Sequence, residues 1–116
     1  MQRWVLATAL LWTAACPAPG EGVKAERGYR RAEPIIAALD RFHADSGHYP
    51  ATLAALVPMF LSDSALATPS RAQERYPWTY KLDGATYTLQ FRYTGPGSNE
   101  CTYMATSRRW QCSGLY

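Results

Sequence analysis

The chain has 116 residues, which is enough for one domain with a small core that a cross-link would help to stabilise. Twelve basic and nine acidic residues give a net charge of +3. This charge is too small for the basic surface of a nucleic-acid-binding protein, so length and charge exclude a multidomain protein and a nucleic-acid partner.

The first fifteen residues have the three parts of a secretory signal peptide. Arg3 gives a positively charged start, Trp4 to Ala15 is an uncharged and largely apolar run, and this run ends in small residues. As a helix, its twelve residues would span about 18 Å, less than the roughly 30 Å hydrocarbon core of a bilayer. We therefore expect residues 1–15 to be removed on export.

Cys16 follows these small residues directly and is one of three cysteines in the chain. Small residues before a cysteine resemble the lipobox of bacterial lipoproteins, in which the cysteine is acylated and becomes the first residue. Thr13 stands where those proteins usually have leucine. Acylation of Cys16 would anchor the protein to a membrane of the bacterial envelope, facing the periplasm. The alternative is ordinary signal-peptidase cleavage, which would leave a soluble periplasmic protein with a free thiol.

Residues 16–22 form an attachment site and a linker by composition, because Pro17 to Gly22 contains two prolines, two glycines and nothing to bury. The globular domain is therefore expected at residues 23–116. Its first part, Lys24 to Arg31, carries four basic side chains and one acidic one. These residues either attract anionic headgroups beside the anchor or form a solvated turn of helix.

Apolar residues at helical spacing predict a helix between Tyr29 and Phe42. The stripe consists of Tyr29, Ala32, Ile35, Ile36, Leu39 and Phe42. Pro34 lies inside this stripe, so it either kinks a long helix or occupies the first turn of a helix that begins near Glu33. Gly47 is expected to end the helix as a left-handed cap.

Two less regular segments follow this helix. Thr52 to Val57 predicts a short second helix that packs back on the first one. Ser62 to Arg75 has the composition of a loop. Beyond this loop the chain changes to strict alternation of apolar and polar residues, which predicts β-strands.

Asp83-Gly84 separates two alternating runs and predicts a β-hairpin with a two-residue turn. This turn pairs Tyr80 with Tyr87. The aromatic residues of both strands then lie on one face of the hairpin, and the helix is expected to cover that face.

Cys101 to Ala105 and Arg109 to Cys112 predict a second hairpin, with a four-residue loop from Ala105 to Arg108. In this register Cys101 faces Cys112 as a non-hydrogen-bonded pair with Cα atoms about 4.5 Å apart, close enough for a disulfide bond. The predicted fold is therefore α+β: a helix and a short second helix packed on a small antiparallel sheet of two hairpins.

The run AEPIIAALDRFHADSGHYPATLAALVPMFL resembles the globular heads of type IV pilins and, more closely, of the major pseudopilins of type II secretion. Gly47-His48-Tyr49-Pro50 is its sharpest motif. Pro77-Trp78-Thr79-Tyr80 is similar to the start of the pseudopilin sheet, and the Cys101–Cys112 pair to the C-terminal disulfide of many pilins. The resemblance covers about Ala32 to Tyr116 and implies a pilin-like head. The chain lacks the hydrophobic N-terminal helix with which pilins build filaments.

One group of side chains has the residue types of a metal site, namely Asp40, His43, Asp45 and His48. We interpret it as the solvated end of the helix, because His48 lies beyond Gly47 and does not share the spacing of Asp40 and His43. No serine has the sequence context of an activated nucleophile. We therefore expect no metal, no cofactor and no catalytic residue.

The four Trp, eight Tyr and three Phe residues are more than one small core face can absorb. Tyr103, Trp110 and Tyr116 are therefore expected to be partly exposed beside Arg108 and Arg109. Because Tyr, Trp and Arg are enriched at binding hot spots, we interpret Arg108, Arg109, Trp110 and Tyr116 as a partner-binding surface. The alternative is a second small cluster packed around the disulfide.

These features together predict a non-enzymatic envelope protein, a lipid-anchored, pilin-like module that binds an unknown envelope component or assists an assembly. It is expected to be a monomer without its anchor, because its one long apolar stripe is needed to cover its own sheet. The alternative function is that of a soluble periplasmic ligand-binding or inhibitor protein.

Overall fold

The computed structural model describes residues 18–66, 78–95 and 97–115. Its elements are helix α1 (Val23–Ser46), a single 3-10 turn (Leu53–Leu56), helix α2 (Asp63–Leu66) and strands β1 (Thr79–Asp83), β2 (Thr86–Thr94), β3 (Ser98–Met104) and β4 (Arg109–Leu115). The strands form one antiparallel sheet in the order β1-β2-β3-β4. The predicted α+β class is confirmed. The predicted signal peptide, Cys16 and Tyr116 lie outside the described residues.

Helix α1 is one helix of 24 residues that starts well before Pro34, so the long helix is the correct alternative. Pro34 lies on the exposed side, where the carbonyl that loses its N–H partner stays close to water. The buried residues of α1 follow helical spacing and are Ala25, Gly28, Ala32, Ile35, Ala38 and Leu39. The helix therefore buries one continuous face, centred on its small residues.

The end of α1 is the predicted left-handed cap. Gly47 has a φ of 79°, and its N–H donates a hydrogen bond of 2.8 Å to the carbonyl oxygen of His43. Glycine adopts this conformation without the steric penalty that a Cβ atom brings. Gly47 alone was therefore enough to predict the C-terminal end of α1.

The segments after α1 differ in detail from the prediction. Thr52 to Val57 does not form a second α-helix but only the 3-10 turn, because Pro58 follows at once and cannot extend a helix. Leu56 of this turn is nevertheless fully buried, as packing against α1 requires. The predicted loop at Ser62 contains the short helix α2, and residues 67–75 of that loop lie outside the described part of the chain.

The first hairpin has the predicted faces but a different register. Tyr80 pairs with Leu89 rather than with Tyr87, so the pairing is shifted by two residues. The two-residue turn is Gly84-Ala85, and Gly84 has a φ of 58°, as a type II′ turn requires at its first central position. Because a shift of two preserves the alternation, Tyr87 still points into the core.

The second hairpin has the predicted register throughout. Tyr103 pairs with Trp110 and Cys101 with Cys112. The two cysteines form a disulfide bond, with their Cα atoms 4.1 Å apart. Pairing between β2 and β3, which sets Phe91 opposite Cys101, joins the two hairpins into one continuous meander.

The core under α1 has two parts. The larger part lies beneath the C-terminal half of the helix and includes Ile35, Leu39, Leu56, Tyr87 and Leu89. The smaller part, which we call the disulfide cluster, lies beneath the start of the helix; it consists of Ala25, Tyr29, Trp78, Phe91, Tyr93, Cys101, Trp110 and Cys112.

Gly28 is the point at which α1 lies closest to the sheet. A Cβ atom at this position would overlap the ring of Phe91, which is fully buried. Phe91 is in turn surrounded by Tyr29, Trp78 and Trp110, with ring centroids 5.7, 5.9 and 5.3 Å away. A shift of the Phe91 ring away from a new methyl group would therefore push it against these neighbouring rings.

Gly28→Ala is expected to destabilise the protein by about 1–2 kcal/mol, because overpacking outweighs the helix propensity that alanine gains. In a Phe91→Leu background, the same change should be neutral or stabilising, since the smaller side chain leaves room for the methyl group. Urea unfolding of the four variants measures both effects. A Gly28→Ala protein more stable than the parent in the presence of Phe91 would contradict this packing.

Several tyrosines of the core are held neutral by burial. Burial and, to a smaller extent, the nearby Tyr49 raise the pKa of Tyr80 to about 12. The Tyr80 hydroxyl donates a hydrogen bond of 2.6 Å to the carbonyl of Pro50. Burial also raises the pKa of Tyr87 above its ordinary value of 10.0, with Tyr103 contributing in the same direction. A folded chain therefore retains these protons at a pH where an unfolded chain releases them.

Stability is therefore expected to be independent of tyrosine ionisation below about pH 10 and to fall as the pH rises from there towards 12. Tyr80→Phe removes one of the titrating groups and should make this fall shallower. Urea unfolding at a series of alkaline pH values measures the slope. Equal slopes for Tyr80→Phe and the parent would show that Tyr80 is not the group involved.

Candidate functional site

Two residues of the predicted partner-binding surface, Arg109 and Trp110, do not lie on one surface. Arg109 and Trp110 are consecutive in β4, so their side chains point to opposite faces of the sheet. Arg109 is exposed, whereas Trp110 is half-buried and packs against Tyr29 and Tyr103, with ring centroids 5.0 and 5.4 Å away. Trp110 thus belongs to the disulfide cluster, which was the alternative interpretation.

Tyr103 is also a core residue rather than an exposed one. Only 5% of its surface is accessible, so its predicted partial exposure was wrong. Its ring lies 6.2 Å from the ring of Tyr87, which is fully buried. Tyr103 thus packs in the larger part of the core and Trp110 in the disulfide cluster. The exposed members of the predicted surface that the structure describes are Arg108 and Arg109.

Arg108 ties the β3–β4 turn to the helix. Its guanidinium donates a hydrogen bond of 2.9 Å to the Asp40 carboxylate, and both side chains are partly exposed. Its φ of 55° lies in the left-handed region, which a non-glycine residue rarely adopts. Arg108, Arg109 and Asp40 thus lie at one end of the domain, which we call the turn end because the β1–β2 and β3–β4 turns lie there.

The residues that resemble a metal site do not converge. Asp40 is paired with Arg108, and the ring of His43 lies 4.4 Å from that of Tyr49. His48 instead lies beside Phe42. Within residues 18–66, 78–95 and 97–115, no group of three or more His, Cys, Asp or Glu side chains is placed to hold a metal ion.

The predicted linker is folded against the domain in its second half. Gly20 donates a hydrogen bond of 2.8 Å from its N–H to the Tyr93 hydroxyl, and its carbonyl accepts one of 2.8 Å from the Tyr29 hydroxyl. A Cβ atom at Gly20 would lie 2.7 Å from the Sγ atom of Cys112. We call Gly20, Tyr29, Tyr93 and the disulfide the clamp. Pro19 and Gly20 of the predicted linker therefore contact the domain.

Tyr29 is the central residue of the clamp. Besides Gly20, its hydroxyl contacts the Sγ atom of Cys112 at 3.2 Å, and its ring lies over those of Phe91 and Trp110. Burial raises the pKa of Tyr29, with Tyr93 contributing, so the hydroxyl stays protonated and remains a donor at neutral pH. The periodicity of the sequence identified Tyr29 as a core residue, but it gave no signal for its contact with the linker.

The clamp lies at the end of the domain opposite the turn end, which we call the N-terminal end. Here α1 begins, and Lys24 donates a hydrogen bond from its Nζ atom to the carbonyl of Thr94. Thr94 pairs with Ser98, which pairs with Leu115, so the ends of β2 and β4 lie here too. Val23 and Leu115 are 72% and 82% exposed.

Comparisons of the chain with protein families, with curated proteins and with solved structures find no match. In the described part of the chain, no helix is long and apolar enough to cross a membrane.

Tyr29→Phe is expected to lower the stability by about 1 kcal/mol and to speed hydrogen exchange in residues 18–22, because Gly20 loses a hydrogen-bonding partner while the ring remains. Tyr80→Phe is the matched control, since it removes a similar hydrogen bond at the turn end. It should leave exchange in residues 18–22 unchanged. Equal exchange in Tyr29→Phe and the parent would mean that Gly20 is not held by this hydroxyl.

Proposed function

We propose that this chain is a non-enzymatic, lipid-anchored protein of the bacterial envelope. Its pilin-like head would bind another envelope component from a fixed position on the membrane. The single observation that carries this proposal is the opposition of the two ends of the domain. Gly20, four residues after Cys16 in the sequence, lies in the clamp at the N-terminal end, whereas Arg108 and Arg109 lie at the turn end.

The length of α1 gives the distance between the N-terminal end and the turn end. Sixteen residues separate Lys24 at the N-terminal end from Asp40, which pairs with Arg108 at the turn end. At 1.5 Å per residue, the separation along the helix is about 24 Å. A domain anchored at its clamp would therefore present the turn end to the periplasm, well clear of the headgroups.

Arg108 and Arg109 are the residues of the turn end that we assign to partner binding. Strained backbone at an exposed charged residue is typical of functional sites, and Arg108 combines its positive φ with a hydrogen bond that fixes its side chain. Arg109 is exposed beside it. Trp110 packs in the disulfide cluster, so this proposal does not assign it to the contact.

The pilin-like character of the head is part of the same proposal. It is supported by the order of elements: a long helix, the Gly47-His48-Tyr49-Pro50 turn and then an antiparallel meander with a C-terminal disulfide. The buried face of α1 is used on the chain's own sheet. A filament of the pilin type needs a second apolar helix surface, so we propose that the protein is a monomer apart from its anchor.

Labelling of cells with an alkyne-tagged fatty acid tests the anchor. The wild-type chain should be labelled and Cys16→Ser should not, because the acyl group is attached at that residue. Cys112→Ser is the matched control, since it also removes a cysteine but should retain the label. Equal labelling of Cys16→Ser and the wild type would refute the anchor, and a soluble periplasmic protein would then be the better interpretation.

A further inference from the structure

The clamp shortens the tether between the domain and the proposed anchor. Pro19 lies against Gly114, because a Cβ atom added to Gly114 would be 3.1 Å from the Cγ atom of Pro19. Gly20 is hydrogen-bonded to Tyr29 and Tyr93. Ala18 is the residue before this docked pair. Only Pro17 lies between Cys16 and Ala18, so the two residue steps from Cys16 to Ala18 span at most about 7 Å. An acyl group on Cys16 would therefore hold the N-terminal end against the headgroups.

The side chains at this end suit such a position. Val23 and Leu115 are among the four large hydrophobic side chains that are exposed in the described residues, and both lie at the N-terminal end. Their surroundings are basic: residues 18–31 carry four basic and two acidic side chains. Exposed aliphatic groups beside cations are the combination with which proteins bind the interface of an anionic bilayer.

The cations are arranged on one side of α1. Lys24, Arg27 and Arg31 follow the spacing i, i+3 and i+7, so they form one strip along the first turns of the helix. The acidic Glu26 lies off this strip and pairs with Arg30 at 3.7 Å. The strip rises about 10 Å along the helix axis, which is comparable to the Debye length in physiological salt. All three charges would therefore lie within about one Debye length of a headgroup layer at the start of the helix.

We propose that Val23, Lys24, Arg27, Arg31 and Leu115 form a surface that contacts anionic phospholipid directly. This inference rests on the proposed anchor, and it deepens that proposal by naming the ligand of the N-terminal end. The two aliphatic side chains enter the boundary between headgroups and acyl chains, and the basic strip lies among the phosphates. The domain thus stands upright on the bilayer, with its turn end outward.

Photocrosslinking of the full chain in living cells tests this surface. A benzophenone amino acid replaces Val23, Leu115 or Met59, and the phospholipids are labelled with radioactive phosphate. Met59 is the matched control, because it is 86% exposed and lies after the 3-10 turn, which packs on the far half of α1. Positions 23 and 115 should give several-fold more lipid adduct than position 59. Equal yields at the three positions in acylated protein would overturn this surface and leave the anchor intact.

A second experiment, with the benzophenone at position 23, tests whether the basic strip is needed for contact with anionic lipid. Arg27→Glu should lower the yield of lipid adduct at least fivefold, since the loss of one basic residue near an anionic membrane contributes about that factor and the added negative charge acts in the same direction. Lys81→Glu makes the same change of charge on β1, near the turn end, and should have no effect. An undiminished yield in Arg27→Glu would overturn the assignment to anionic lipid.

The fatty-acid label is read on the same samples, which separates the two proposals. Lipid adducts at positions 23 and 115 in a chain without the acyl label would support the phospholipid surface and overturn the anchor. Acylated chains that give adducts at these positions and lose them in Arg27→Glu would support both.

Discussion

The structure depends on the close approach of Gly28 to Phe91. Because no Cβ atom intervenes, α1 lies directly on the Phe91 ring, and this brings Tyr29 over the disulfide. Tyr29 can then reach Gly20 with its hydroxyl while its ring packs against Trp110. A helix held farther from the sheet would leave Tyr29 out of reach of both sulfur and linker. The clamp therefore depends on the absence of a side chain at Gly28, within the first two turns of α1.

Most of the sheet was predictable because its faces follow from alternation. The second hairpin was predicted residue by residue, since the paired cysteines and the four-residue loop define the same register. The first hairpin was misplaced by two residues, because Asp83-Gly84 and Gly84-Ala85 are both acceptable turns and both keep Tyr87 inside. Hydrophobic patterning excludes a shift of one residue but not a shift of two.

The candidate sites were less predictable, for different reasons. Strand alternation alone could have separated Arg109 from Trp110, because neighbours in a strand face opposite ways. The clamp had no such signal. The residues Pro19 and Gly20 have the composition of a flexible tether, and their order comes from two hydroxyls that are distant in the sequence, on Tyr29 and Tyr93. The composition of a segment shows whether it has apolar side chains of its own to bury. It does not show which hydrogen-bonding partners another element provides for its backbone.

Ordering of the linker changes what the proposed anchor would do. A flexible tether of six residues would hold the domain near the membrane but leave its orientation random. A linker docked at Gly20 transmits the constraint, because Gly20, only four residues after Cys16 in the sequence, is held against the start of α1. The disulfide holds β3 and β4 together where Gly20 lies against them, so it stabilises the docked linker as well as the sheet. If Cys16 carries the proposed anchor, the Cys101–Cys112 disulfide, which closes the second hairpin, would also determine which end of the domain faces a partner.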